Sequence, residues 1–202
     1  MMLSEELYPQ RVFYYFEQIA AIPHGSRNTK AISDFLVNFA KEHNLVWYQD
    51  ENNNVVIVKE ASAGYEAAEP IIIQGHMDMV CEKEKGVDID FEKDGLKLYI
   101  DGDFLKAEGT TLGGDDGIAV AYALALLDSQ EIAHPKLEVV ITVDEEIGML
   151  GADAIDLSML TGHTMLNIDS DVEGSFLTGC AGGMAVNVTL PIKRVMQSGE
   201  KV

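Results

Sequence analysis

In this sequence, side chains able to bind metals or move protons repeatedly follow short apolar runs. PIIIQG (70–75) leads into His76 and Asp78, KLEVVITV (136–143) into Asp144, Glu145 and Glu146, and HTMLNI (163–168) into Asp169 and Asp171. Asp115 and Asp116 lie in a Gly-rich turn, TTLGGDDG (110–117), that opens a long apolar segment. One imidazole with several carboxylates is a mixed N/O donor set that suits Zn, Mn or Co better than Ca. Packed together without a cation, these carboxylates would repel, raise one another's pKa and destabilise the fold. An aspartate shared between two ions about 3.5–4 Å apart is a known arrangement for hydrolytic chemistry.

Each residue also has a plain structural reading. Asp115 suits a helix N-cap, Asp169 an Asx-turn, Glu145-Glu146 a solvated turn, and His76 a hydrogen-bonded core position. Their joint placement favours a site. In an extended chain His76 and Asp78 point the same way, so Asp78 is placed to hold the second N–H of a metal-bound imidazole. Glu145 and Glu146 are adjacent and point in different directions. One can ligate while the other faces a water, and the pattern leaves open which does which.

The elements that must position these residues follow from periodicity. Val12, Phe13, Phe16 and Ile19 predict an amphipathic helix over about 6–21, broken by Pro23 and Gly25. Ser26 is a candidate cap for a second helix with a stripe of Ile32, Phe35, Leu36 and Phe39, ending near His43-Asn44. LVWYQD and NVVIVKE predict a hairpin-like pair. PIIIQG, KLEVVITV and HTMLNI read as buried strands, IAVAYALALL as a buried helix, and 83–106 as an excursion with short edge strands. SFLTG and GGMAVNVTLPI read as further extended segments. The alternation implies an α/β three-layer sandwich, with a mixed, mainly parallel central sheet flanked by helices. In such sheets ligands bind beyond the carboxyl ends of the strands, where three of the acidic groups would converge.

Composition excludes several function classes. Fourteen Lys and Arg against 34 Asp and Glu give a formal charge of −20, a field that repels nucleic acid and anionic membranes. Cys81 and Cys180 match no CxxC or zinc-ribbon spacing and read as reduced thiols. MMLSEELYPQRVFYYF lacks a signal-peptide pattern, and no apolar run approaches the ~20 residues that span a bilayer. A cytoplasmic protein is expected.

GHMDMV (75–80), TTLGGDDG (110–117), TVDEEIGMLGA (142–152) and NIDSDVEG (167–174), in this order, resemble the M20 family of di-metal peptidases and amidohydrolases. IPHGSRNTKAISDFL (22–36) and TGCAGG (178–183) are similar to its aminoacyl-histidine (Xaa-His) dipeptidase branch. The resemblance implies that His76, Asp115 and Asp169 hold one divalent ion and that Asp115 bridges to a second, held by Glu146. The ions would be zinc, with Mn or Co as alternatives. It further implies that Asp78 orients His76, that Glu145 is the general base, and that the Asp115–Asp116 bond is cis. The expected reaction is hydrolysis of Xaa-His-type dipeptides by a water activated between two metals. The rival readings are an amidohydrolase acting on N-acyl amino acids and, for this chain alone, a non-catalytic metal-binding module.

The family's second ion takes another histidine from near the end of a longer chain, and a lid domain with a GGHSG-like motif supplies one more. His24, His43, His134 and His163 sit in no such motif. Residues 1–202 are therefore expected to be a catalytic metal-binding domain truncated before a lid and dimerisation domain. By the same resemblance, the full-length protein is expected to form a homodimer through that lid, and the isolated chain to be inactive.

Overall fold

The computed structural model describes residues 3–170, 172–179, 182 and 186–193. It divides into a unit over Met1–Ser170 and a second over Asp171–Val202.

In the first unit a short 3-10 turn, Leu3–Glu5, precedes helix α1 (Gln10–Ala20). Val12, Tyr15, Phe16, Ile19 and Ala20 recur on one face of α1, and these are its buried residues. Helix α2 spans Lys30–Glu42, with Thr29 rather than Ser26 at its N-cap position. The Ser26 hydroxyl donates instead to Asp78, 52 positions away. A short hydroxyl side chain can satisfy its own helix or a distant acceptor, and here the distant carboxylate wins.

Strands β1 (Val46–Gln49) and β2 (Val55–Lys59) form the expected antiparallel pair. They are followed by β3 (Ile71–His76), a separate two-stranded ribbon of β4 (Leu98–Asp101) and β5 (Phe104–Ala107), helix α3 (Gly114–Asp128), β6 (Leu137–Thr142), helix α4 (Leu150–Ala154) and β7 (Thr164–Asn167). The five-stranded sheet has the order β1-β2-β6-β3-β7. β3 runs parallel to both β6 and β7, and β2 antiparallel to its two neighbours, so only β2 opposes the common direction. The sheet is mixed and mainly parallel, with helices on its faces.

Alternation along the strands divides the sheet's two faces. Val55, Ile57, Ile73, Val139 and Ile141 join the main core with α1, α2 and α3. Val56, Val58 and Val140 face the other way, against Ile155, Met159 and Leu160 near α4. Every residue of β6 is buried. β7 differs from the buried strand expected of HTMLNI: Met165 and Leu166, on opposite faces, are 58% and 51% exposed. It is one of the sheet's two edge strands, with β3 as its neighbour, and all four of its residues are exposed.

In the second unit, Ser175 N–H donates to the Val172 carbonyl in a turn, and 175–179 form no strand. Of GGMAVNVTLPI, residues 182 and 186–192 form none either, and 183–185 lie outside the described residues, as do Asp171 and Cys180. Among the described residues no helix is long and apolar enough to cross a membrane.

Candidate metal centre

Strand register explains how distant residues meet. His76 ends β3 level with Thr142 of β6, so Asp144, Glu145 and Glu146 follow just beyond the same sheet edge. Gln74 is level with Asn167 of β7, which puts Asp169, two residues later, alongside His76. The start of α3 brings Asp115 and Asp116 to this edge. Their dihedral angles are non-helical, and the peptide bond joining them is cis, as expected. Gly75 provides the room: a Cβ there would lie 2.6 Å from Asp116 Oδ2 and 2.7 Å from the Ala119 Cβ.

His76 is the hub and is 1% exposed. Its Nδ1 lies 3.0 Å from the Asp78 backbone carbonyl and 3.4 Å from Asp78 Oδ1, so main chain and side chain share the orienting task expected of the carboxylate. Its Nε2 faces the other way, 3.0 Å from Asp115 Oδ1 and 3.9 Å from Glu145 Oε2. Its backbone N–H donates to Asp116 Oδ2 at 3.2 Å. Asp78, also buried, accepts from the Ser26 hydroxyl at 2.8 Å and from the Glu145 backbone N–H at 3.0 Å.

Two groups of potential ligand atoms overlap at His76. His76, Asp115 and Glu146 form one, and His76, Asp116 and Asp169 the other, each with its ligand atoms within 4.8 Å of one another. Donors ~2.0–2.2 Å from one ion lie roughly 3.3–4.4 Å apart, so sub-ångström side-chain movements bring either group into range. Asp116, not singled out as a ligand by sequence, thus joins Asp169, while Asp115 joins Glu146. Both aspartates follow Gly113-Gly114, and spacing alone does not rank neighbours in a kinked turn.

The electrostatics fit a cation. Burial pushes the Asp116 carboxyl up to about 8, opposed by His76 and reinforced by Asp169 and Asp115. Burial also raises Glu145 and Glu146, with further acidic neighbours adding to the effect. Burial would lower His76, but Asp78, Asp116 and Asp115 outweigh it and hold the imidazole up to about 9. Among the described residues no Lys or Arg pairs with Asp115, Asp116, Glu145 or Glu146. Carboxylates gathered around one imidazole, with no Lys or Arg pairing these four, form a chelating environment.

Residues 72–185, more than half of the chain, match peptidase family M20/M25/M40. The chain belongs to this family. Two similar proteins place this M20 chain further. The cytosol non-specific dipeptidase of Escherichia coli (strain K12) is 40% identical over 189 residues, covering 94% of this chain and 39% of that protein. An aminoacylhistidine dipeptidase structure from Vibrio alginolyticus superposes with a TM-score of 0.82 at 40% identity, covering 85% of this chain and 35% of that one. A tripeptidase from Staphylococcus aureus shares the fold, with a TM-score of 0.67 at 24% identity.

The M20 chain holds a second buried histidine near the centre, His24, which the sequence did not mark. Its Nδ1 is 2.5 Å from the Ile22 carbonyl and its Nε2 3.4 Å from where a Cβ on Gly113 would lie. His163 precedes β7, at the opposite edge of the sheet.

Proposed function

We propose that this chain forms the metal-holding part of a cytoplasmic dipeptidase that hydrolyses short peptides of the Xaa-His type. The observation that carries the reading is the division of labour around His76. Asp115 and Glu146 lie within ligand distance of one another and of the imidazole, while neighbouring Glu145, its backbone anchored on Asp78, belongs to neither ligand group and has its carboxylate 3.9 Å from His76 Nε2. The names borne by the Escherichia coli and Vibrio alginolyticus proteins support the substrate class. The chain spans 39% of the Escherichia coli protein, so turnover is proposed for the whole protein to which this centre belongs.

By the family resemblance His76, Asp115 and Asp169 would hold one divalent ion, with Asp116, which the geometry groups with His76 and Asp169, close to the same ion. Asp115 would also reach a second, held by Glu146, and zinc is the first choice for a donor set of one nitrogen and several carboxylate oxygens. Such an ion supplies Lewis acidity, polarising the scissile carbonyl and lowering the pKa of water. With Nδ1–H donating to the Asp78 carbonyl, Nε2 would offer its lone pair to a cation, whose binding would displace the proton that the surrounding carboxylates otherwise favour. Glu145, raised by burial and acidic neighbours, is suited to take a proton from the attacking water and return it to the leaving amine.

Glu145→Gln in the whole gene product is expected to lower turnover of a Xaa-His dipeptide by about 10²–10⁴-fold with metal content unchanged. Full turnover by this variant would refute the base assignment. N-acetylated amino acids assayed beside carnosine-like dipeptides separate peptidase from amidohydrolase specificity.

A further inference from the structure

The loop between α1 and α2 grips the metal centre from a part of the sequence remote from every ligand. Gly25 bridges Met79 in parallel fashion, Met79 N–H donates to the His24 carbonyl at 3.2 Å, and Ser26 N–H donates to the Met79 carbonyl. Asn28 N–H closes a turn on the Gly25 carbonyl at 2.8 Å. From this turn the Ser26 hydroxyl reaches Asp78 Oδ2 at 2.8 Å, and Arg27 N–H reaches Asp144 Oδ1 at 2.6 Å. The two contacts fall on either side of Glu145: one on the carboxylate that accepts its backbone N–H, the other on the residue preceding it.

Backbone strain marks this junction. Arg27 has φ +68° and Asp144 φ +54°, so two non-glycine residues in left-handed conformation meet through one hydrogen bond. Such a conformation is unfavourable for most side chains, and the third position of a turn with positive φ usually carries Gly or Asn. Strain of this kind persists where surrounding contacts over-determine it, and it gathers at functional sites. Gly25 is equally constrained, since a Cβ would lie 2.5 Å from Cys81 Sγ.

We infer that Ser26 is a positioning residue for the metal centre, its hydroxyl fixing the Asp78 carboxylate that lies against His76 and accepts the Glu145 backbone N–H. The inference rests on the metal-binding reading above. Ser26 belongs to neither group of potential ligand atoms. It leaves Asp78 Oδ1 aimed at both His76 Nδ1 and Glu145 N, and without it the carboxylate is free to rotate away from both. Direct hydrogen-bond partners of metal ligands typically account for 10–100-fold in metal affinity, and Ser26 acts through one of them, Asp78.

The test compares the wild-type chain with Ser26→Ala, Ser26→Thr and Arg27→Pro, the last removing the N–H and forbidding φ +68°. Zn²⁺ affinity is measured by competition with a chromophoric chelator, the Co²⁺ visible spectrum is recorded, and the metal-free unfolding midpoint is determined. Ser26→Ala is expected to bind Zn²⁺ at least tenfold more weakly with an altered Co²⁺ spectrum. Arg27→Pro is expected to lose affinity as well, and Ser26→Thr, which keeps the hydroxyl, to recover most of it. Ser26→Ala affinity within twofold of wild type, read well below its midpoint, overturns the inference, even if the midpoint itself falls. A wild-type chain that binds neither ion overturns the metal-binding reading and this inference with it.

Discussion

Replacing Asn54, a residue far from any ligand motif in sequence, should both destabilise the fold and weaken metal binding. Asn54 is fully buried; its Nδ2 donates to Asp50 Oδ2 at 2.7 Å and to the Gly151 carbonyl at 3.1 Å, and its Oδ1 accepts from Val143 N–H at 3.0 Å. Val143 and Gly151 are the two ends of the loop carrying Glu145 and Glu146, and they also bond to each other, Gly151 N–H to the Val143 carbonyl at 3.0 Å. A single amide therefore clamps the loop to the β1–β2 turn. Asn54→Ala leaves the buried Val143 N–H without its acceptor, at about 1–3 kcal/mol, and takes one of two donors from the Gly151 carbonyl, which keeps the Ile155 N–H. For a domain of this size a loss of about 2 kcal/mol lowers the unfolding midpoint by roughly 4–8 °C. Asn54→Asp keeps the volume and the acceptor for Val143, but loses the donor to Gly151 and sets a second carboxylate against Asp50. It is expected to be at least as damaging. Thermal unfolding by circular dichroism, with Zn²⁺ affinity measured in parallel, checks both effects. A midpoint within 2 °C of wild type, with unchanged affinity, would show that the loop is held by other means and refute the clamp.

The remaining expectations concern the opposite edge of the sheet and the room around His76. Glu138, fully buried in β6, accepts from Lys136, from Gly162 N–H, and from the backbone and hydroxyl of Thr161. Burial would raise its carboxyl, but Lys136 and these donors hold it down to about 2. Because the folded value lies below the unfolded one, about 3 kcal/mol of stability is present above pH ~4.5 and is lost as pH falls towards 2. Chemical denaturation from pH 6 to 3 should show this slope, and Glu138→Gln should flatten it; an equal slope in the variant contradicts the assignment. Gly75→Ala forces a Cβ into Asp116 and Ala119, which should cost about 1–3 kcal/mol and weaken Zn²⁺ binding. Unaltered binding and stability would mean that α3 shifts freely to make room.

The sequence disclosed the scaffold of the centre better than its supports. Apolar runs ending in His76, Glu145 and Asp169 are legible because a parallel sheet forces successive strand ends to one edge, and that geometry does not depend on fine packing. Ser26 was misread because a capping pattern is local, whereas its partner Asp78 becomes a neighbour only when the Gly25 segment lies beside Met79. Asn54 was invisible for the same reason: an Asn in an Asn-rich turn looks like turn chemistry until both ends of a distant loop meet its amide. β7 was read as buried from its composition, but burial of a strand depends on what lies on both its faces. The sequence points to the Asp78 carboxylate as the orienting partner of His76, whereas the nearest acceptor there is the Asp78 main-chain carbonyl, which residue type does not reveal.

These supports share a physical logic. A centre made of carboxylates resists its own assembly, because each acidic group drawn into the pocket raises the cost of the next. The structure answers with donors that bring no competing positive charge: backbone N–H groups of His76 and Glu145, and the Ser26 hydroxyl. A lysine in their place would neutralise the pocket and leave little attraction for a cation. Neutral donors orient Asp78 and Asp116 while leaving the negative potential intact. The same reasoning accounts for where the cationic anchor of this sheet is found. Lys136 pairs with Glu138 near the start of β6, at the edge away from His76, where a charge pair stabilises the strand without discharging the site.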